Sequence, residues 1–166
     1  MATNRRKAKA SSERNHSATV ENCQRKVRFA LAPLEEFLEQ INREIGLGAG
    51  SVNVRFVTDA EMTRLNLAFR KMDKTTDVLS FPSETRSRPK SLARRVRELE
   101  KEFLGDIAIS PVVAGRNASR FGRTMTGEIC ILMLHGVLHL LGYDHETDQG
   151  EMDRMERKLR KRFGLT

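Results

Sequence analysis

The sequence predicts an α+β domain: a small mixed sheet of about four strands packed on helices, with one buried helix at its centre. Three observations predict it. Strand-like and helix-like patterns alternate along the chain instead of falling into separate blocks. The run from Thr126 to Leu141, "TGEICILMLHGVLHLL", is apolar on nearly every side, as only a buried helix can be. The chain of 166 residues, 39% hydrophobic and 31% charged, is long enough to bury one core and too short for two ordinary domains.

The elements follow in order. Residues 1–28 are polar and basic and predict a disordered tail, leaving 29–166 as one domain. "APLEEFLEQINREIG" has helical spacing, with Pro33 tolerated in a first turn and Gly46 at the end. "SVNVRFV" alternates apolar and polar residues and predicts a strand. Thr58 and Glu61 have capping-box spacing and open the helix "DAEMTRLNLAFR". "DVLSF" predicts a second strand closed by Pro82. The charged segment 83–104 reads as an insertion, helical from Ser91. "GDIAIS" is a third strand, and Pro111 suits the first turn of the helix "PVVAGRNASRFG". After the central helix, "EMDRMERKLRKRFG" has helical spacing, which places Met152 and Met155 in ordinary core packing; a floor beneath a metal site is their alternative role.

Charge is unevenly divided. The net +8 arises from residues 1–30, with eight Lys or Arg against two acids, and from 83–104, with seven against four; the remainder is close to neutral. Such segments suit a polyanionic partner, nucleic acid above all, although a charge run alone also serves simply as a solvated surface. No apolar run approaches the roughly 20 residues of a membrane helix, and none resembles a signal peptide. Two cysteines, Cys23 and Cys130, form neither a disulfide framework nor a metal clip. A cytoplasmic protein is expected, with no membrane partner.

The chemistry concentrates in "HGVLHLLGYDH". His135, His139 and His145 have the spacing H-x-x-x-H-x-x-G-x-x-H that zinc peptidases of the metzincin class use. Four residues apart on a helix, His135 and His139 project from one face about 6 Å apart along the axis. Gly142 can end the helix in a left-handed conformation, and the turn through Tyr143 and Asp144 brings His145 back to the same point. Three imidazoles in an apolar setting each need a polar partner, which one metal ion supplies to all of them. Imidazole ligands favour zinc, with nickel and cobalt chemically admissible, and three protein ligands leave a position open for chemistry. The peptidases place a Glu after the first His as general base, whereas this chain has Gly136. That disfavours peptide hydrolysis, which must protonate a poor amine leaving group, and leaves room beside the ion for a phosphate. Phosphodiester cleavage can rely on the metal itself.

"HGVLHLLGYDH", preceded by "LNLAFRKMDKTTDVLSFP" and "GDIAIS", resembles the YbeY family of bacterial metal-dependent endoribonucleases over roughly Ser51 to Phe163. The tail and the 83–104 insertion lie outside the likeness, and Phe69 and Thr75 stand where the family commonly has Tyr and Pro. The resemblance implies a zincin-like fold and one zinc ion on His135, His139 and His145. It implies Arg70, with His135, as the catalytic residues, Arg70 also binding substrate. It implies cleavage of single-stranded RNA in rRNA processing, at the 16S rRNA 3′ end, and in ribosome quality control. The partners implied are rRNA and the small ribosomal subunit, with ribosomal proteins and an assembly GTPase beside them and no DNA. A planar guanidinium offers paired donors to the oxygens that gain charge in such a reaction, although an Arg at a helix end also serves to cap carbonyls. Asp144 is placed to orient a ligand imidazole from the second layer. "TDVLSFP" suits either a plain sheet strand or an edge along which substrate lies, with Ser80 or Asp77 near the groove. Two other functions stay open: a metzincin-like peptidase drawing its base from Glu128 or Glu146, and a non-catalytic ribosome-assembly factor with a structural zinc.

Overall fold

A computed structural model describes residues 19–48, 51–83 and 103–165. Its strands are β1 (Val20–Asn22), β2 (Val52–Phe56), β3 (Val78–Pro82) and β4 (Gly105–Ile109), and its helices α1 (Ala32–Ile45), α2 (Asp59–Arg70), α3 (Pro111–Arg120), α4 (Met125–Leu140) and α5 (Glu151–Arg162). The sheet order is β1-β2-β4-β3; β1, β2 and β4 run parallel, and β3 lies antiparallel against β4 at one edge. This is the expected mixed α+β fold.

Local chemistry accounts for the helix boundaries. Thr58, Ser110 and Thr124 are extended, and their hydroxyls accept from the backbone N–H of Glu61, Val113 and Gly127, satisfying donors that a helix start leaves over. Ser110 Oγ also donates to Asp59 Oδ1 at 2.7 Å, which ties the beginnings of α2 and α3 together.

The two faces of the sheet are covered differently. Val52, Val54 and Phe56 of β2 and Ile107 and Ile109 of β4 point into the main core, where α1 contributes Leu34, Leu38 and Ile41, α4 contributes Ile129, Met133, Leu134 and Leu138, and α5 contributes Met152 and Leu159. Ala108 and Leu79 point the other way, onto Met62 of α2. This alternation follows from the period-2 strand pattern. Helix α4 is buried along almost its whole length, as expected from its apolar run. Cys130 on it is 6% exposed, and burial pushes its thiol pKa up to about 12.

The fold begins earlier than its sequence suggests. Residues 20–22, inside the segment read as a disordered tail, form the edge strand β1. Val20 is buried in the main core, and the Gln24 amide closes the following turn by accepting from Val27 N and donating to Val27 O, each at 2.8 Å. A three-residue strand is too short to show a period, so neither composition nor alternation reveals it. The remainder of the tail, 1–18, and the expected helix from Ser91 lie outside the described residues.

Candidate metal centre and cleft

Helix α4 carries His135 and His139 to its C-terminal end, and the chain then turns sharply. Gly142 N donates to His139 O at 2.9 Å and Tyr143 N donates to Leu138 O at 3.1 Å, the paired bonds of a Schellman ending, with Gly142 at φ 93°. A side chain at that φ is strained, so glycine is what permits the reversal. The turn returns His145 to the other two: ring centroids are 4.7 Å apart for His135 and His139, 5.6 Å for His135 and His145, and 5.3 Å for His139 and His145. One ligand atom from each lies within 4.8 Å of the others.

The outer nitrogens of two rings are already bonded. His139 Nδ1 is 3.0 Å from the carbonyl of Tyr143, which only accepts, so Nδ1 carries the proton and Nε2 the lone pair. His135 Nδ1 is 2.9 Å from Glu156 Oε2, which likewise accepts. The two Nε2 atoms then face one another at 3.1 Å. Two lone pairs so placed repel unless a cation lies between them. Nitrogens around a tetrahedral zinc, at about 2.0–2.1 Å, are roughly 3.3 Å apart, so the donor set fits a metal ion, which His145, the exposed member, completes. Burial, then the charges of His135 and His145, hold the His139 pKa below its ordinary value, keeping its lone pair available.

Glu156 was not legible in the sequence. It lies in α5, 21 residues from His135, inside a stretch dominated by surface charge. Burial pushes its pKa up, but the hydrogen bond and charge of His135, together with Arg160 at 3.6 Å, outweigh this and hold it below the usual value. An ionised carboxylate on the far nitrogen fixes the ring and raises its basicity toward a metal. Glu156→Gln is therefore expected to weaken zinc affinity about 10- to 100-fold with the fold retained, as competition against a calibrated chelator would read; unchanged affinity would exclude the assignment.

Asp144, expected in that orienting role, is placed differently. Its carboxylate accepts from Glu146 N at 3.0 Å and Thr147 Oγ1 at 3.1 Å, contacts of the turn that presents His145. The Glu146 N–H lowers its pKa first, and the Thr147 hydroxyl and the imidazoles add to this. Any influence on the ligands passes through the turn, with no bond to a ring.

The histidines line a cleft of about 680 Å³ whose other walls are Phe69 and Arg70 at the end of α2, Thr76 to Pro82 along β3, and the turn Gly142 to Asp144. Ser80 and Asp77 both line it. They are engaged in the scaffold, Ser80 Oγ donating to Gly136 O at 3.2 Å and Asp77 Oδ2 accepting from Asn117 Nδ2 at 3.1 Å. Arg70 is half-exposed, and its Nη2 lies 3.7 Å from Glu146 Oε1, on the segment that carries His145. The carbonyl-capping role open to Arg70 is filled by its neighbour: Lys71 Nζ donates to Ala68 O at 3.0 Å. Lys71 itself adopts φ 60°, and Asn66 Nδ2 donates to Lys74 O at 2.8 Å across the same turn, so the chain around Arg70 is held in a defined path. Met152 and Met155 belong to the core and not to the cleft.

Gly136 has a different meaning from the one expected. A Cβ there would lie 2.8 Å and 2.9 Å from Ile107 Cδ1 and Cγ2, so the position faces β4 and opens no space for a phosphate. A glutamate at this position would have to displace buried Ile107. The two acids considered as substitutes are also committed elsewhere. Glu128 is buried against Arg123 at 2.7 Å, about 10 Å along the α4 axis from His135, and Glu146 pairs with Arg70. Neither lines the cleft.

A mixed α+β domain whose buried helix and following turn bring three imidazoles to an open cleft has the make-up of a metal-dependent hydrolase. The comparisons with known proteins narrow this. Residues 8–164 match the family model of the endoribonuclease YbeY, and the chain belongs to the YbeY family. It is 44% identical over 132 residues to the endoribonuclease YbeY of Solibacter usitatus, covering 80% of this chain and 78% of that one. With the endoribonuclease YbeY of Campylobacter jejuni it shares 41% over 130 residues, 78% and 87% of the respective chains. A Thermotoga maritima protein solved in solution is similar in fold, with a TM-score of 0.52 and 30% identity over 84% of this chain and 85% of the other. Among the described residues, no helix is long and apolar enough to cross a membrane.

Proposed function

We propose that this protein is a zinc-dependent endoribonuclease specific for single-stranded RNA, acting in rRNA processing, including the 16S rRNA 3′ end, and in ribosome quality control. The observation that carries the reading is the placement of three convergent imidazoles and a half-exposed guanidinium around one cleft that runs along the edge strand β3. His135, His139 and His145 are the proposed ligands, Arg70 and His135 the proposed catalytic residues, and Asp144 supports the turn that presents His145. A zinc ion held there supplies Lewis acidity toward a phosphoryl oxygen.

The chain's own residues do the rest. Glu156 and the Tyr143 carbonyl orient two imidazoles with their free nitrogens inward. Arg70 exchanges its exposed ion pair with Glu146 for the oxygens of the scissile phosphate; an exposed pair is worth no more than about 1 kcal/mol, so the exchange is easy. As charge develops on those oxygens, the guanidinium stabilises it with paired donors. The basic tail, 1–28, and the basic segment 83–104 suit further phosphates of rRNA and the small subunit, with ribosomal proteins and a GTPase as further partners in the cytoplasm.

Specificity provides the test. On an RNA carrying a stem and a 3′ single-stranded extension, the purified protein is expected to cut in the extension and spare the stem. Equal cutting of a blunt duplex of the same sequence would overturn the reading.

A further inference from the structure

Among the large apolar side chains left exposed in the described residues, Phe69 is the most open, at 66%, and it is the one that lines the cleft. Phe81 of β3, across the cleft wall, meets it with ring centroids 4.7 Å apart and an interplanar angle of 65°. Phe81 is itself packed against the cluster of Met62, Leu79 and Ala108, so the contact anchors Phe69 to the sheet. With two-thirds of its surface accessible, the Phe69 ring keeps aromatic area turned to water. In sequence it precedes Arg70, which lines the same cleft. We infer that Phe69, backed by Phe81, forms a nucleobase-stacking subsite: an unpaired base lies on the Phe69 ring while the neighbouring phosphate meets Arg70. The inference rests on the endoribonuclease reading and deepens it, since a base within a duplex is stacked on its neighbours and is not free to lie on the ring.

Aromatic–base stacking tolerates any base, because each has a π face, so the subsite selects strandedness and little sequence. Phe69→Ala is expected to weaken binding of a single-stranded RNA about 10-fold or more, to raise the KM for cleavage by a similar factor, and to leave metal content unchanged. Phe69→Trp should retain binding, and Phe69→Leu, apolar but without a π face, should lose most of it.

The decisive experiment scans a single abasic site along a short RNA, with binding followed by a 2-aminopurine placed at each position in turn. Wild type is expected to lose affinity at one position next to the cut and to quench 2-aminopurine there; Phe69→Ala should show neither effect while remaining folded and metal-loaded. If abasic sensitivity and quenching persist in Phe69→Ala, or are absent in wild type, the subsite is wrong. The nuclease reading fails separately, by absence of cleavage in the wild-type protein, and the quenching signal still reports on Phe69 in that case.

Discussion

Arg70→Ala is expected to keep its metal and its melting temperature and to lose roughly 100-fold or more in RNA cleavage. The two halves of this result have different causes. The side chain is half-exposed, and its partner Glu146, 3.7 Å away, is more exposed still, so the pair contributes little to folding. The helix end does not need it either, because Lys71 donates to the Ala68 carbonyl. In the proposed reaction the guanidinium is the group that meets the developing phosphoryl charge, since His135, His139 and His145 are the proposed ligands of the metal. A folded, zinc-loaded Arg70→Ala protein that cleaves RNA at the wild-type rate would remove Arg70 from the mechanism. Glu146→Ala is the useful control: it frees the guanidinium without removing it and should leave cleavage within a few-fold of wild type.

His139→Ala is expected to lose both metal and activity. His139 is one corner of the imidazole triangle, with centroids 4.7 Å and 5.3 Å from the other two, and the two imidazoles that remain would hold an ion far more weakly than three. A ligand bound only to the native state stabilises it by about 2.7 kcal/mol when present at 100 times its Kd. For a chain of this size each kcal/mol is worth roughly 2–4 °C in Tm. The variant in zinc buffer should therefore melt about 5–10 °C below the zinc-loaded wild type and close to the metal-free wild type. Undiminished zinc in His139→Ala, measured by elemental analysis, would sink the ligand assignment.

The cluster of three imidazoles and the architecture around it were legible because each rests on short-range chemistry. Thr58 caps the helix that its spacing with Glu61 announces, and Gly142 turns the chain where a glycine is required. What escaped the sequence depends on distant contacts. Glu156 looks like one more charge on a polar helix, and only the packing of α5 against α4 brings it to His135. Strand β1 has too few residues to show a pattern and is ordered by its parallel pairing with β2. Gly136 drew attention as a missing base, yet its size is set by Ile107 on the strand beneath it, 29 positions away in the chain. A sequence pattern shows which groups recur along one element; which face of that element meets another depends on the register between them.

A metal at the three histidines that serves RNA cleavage is the centre of the proposed function. Protein stripped by chelation would be titrated with zinc and assayed side by side on a structured rRNA precursor and on a casein-type substrate. Cleavage of the RNA should be absent at the start and rise in proportion to zinc up to one ion per chain, with casein untouched throughout. RNA cleavage undiminished in the metal-free protein, or zinc-dependent hydrolysis of casein in place of RNA, would contradict it.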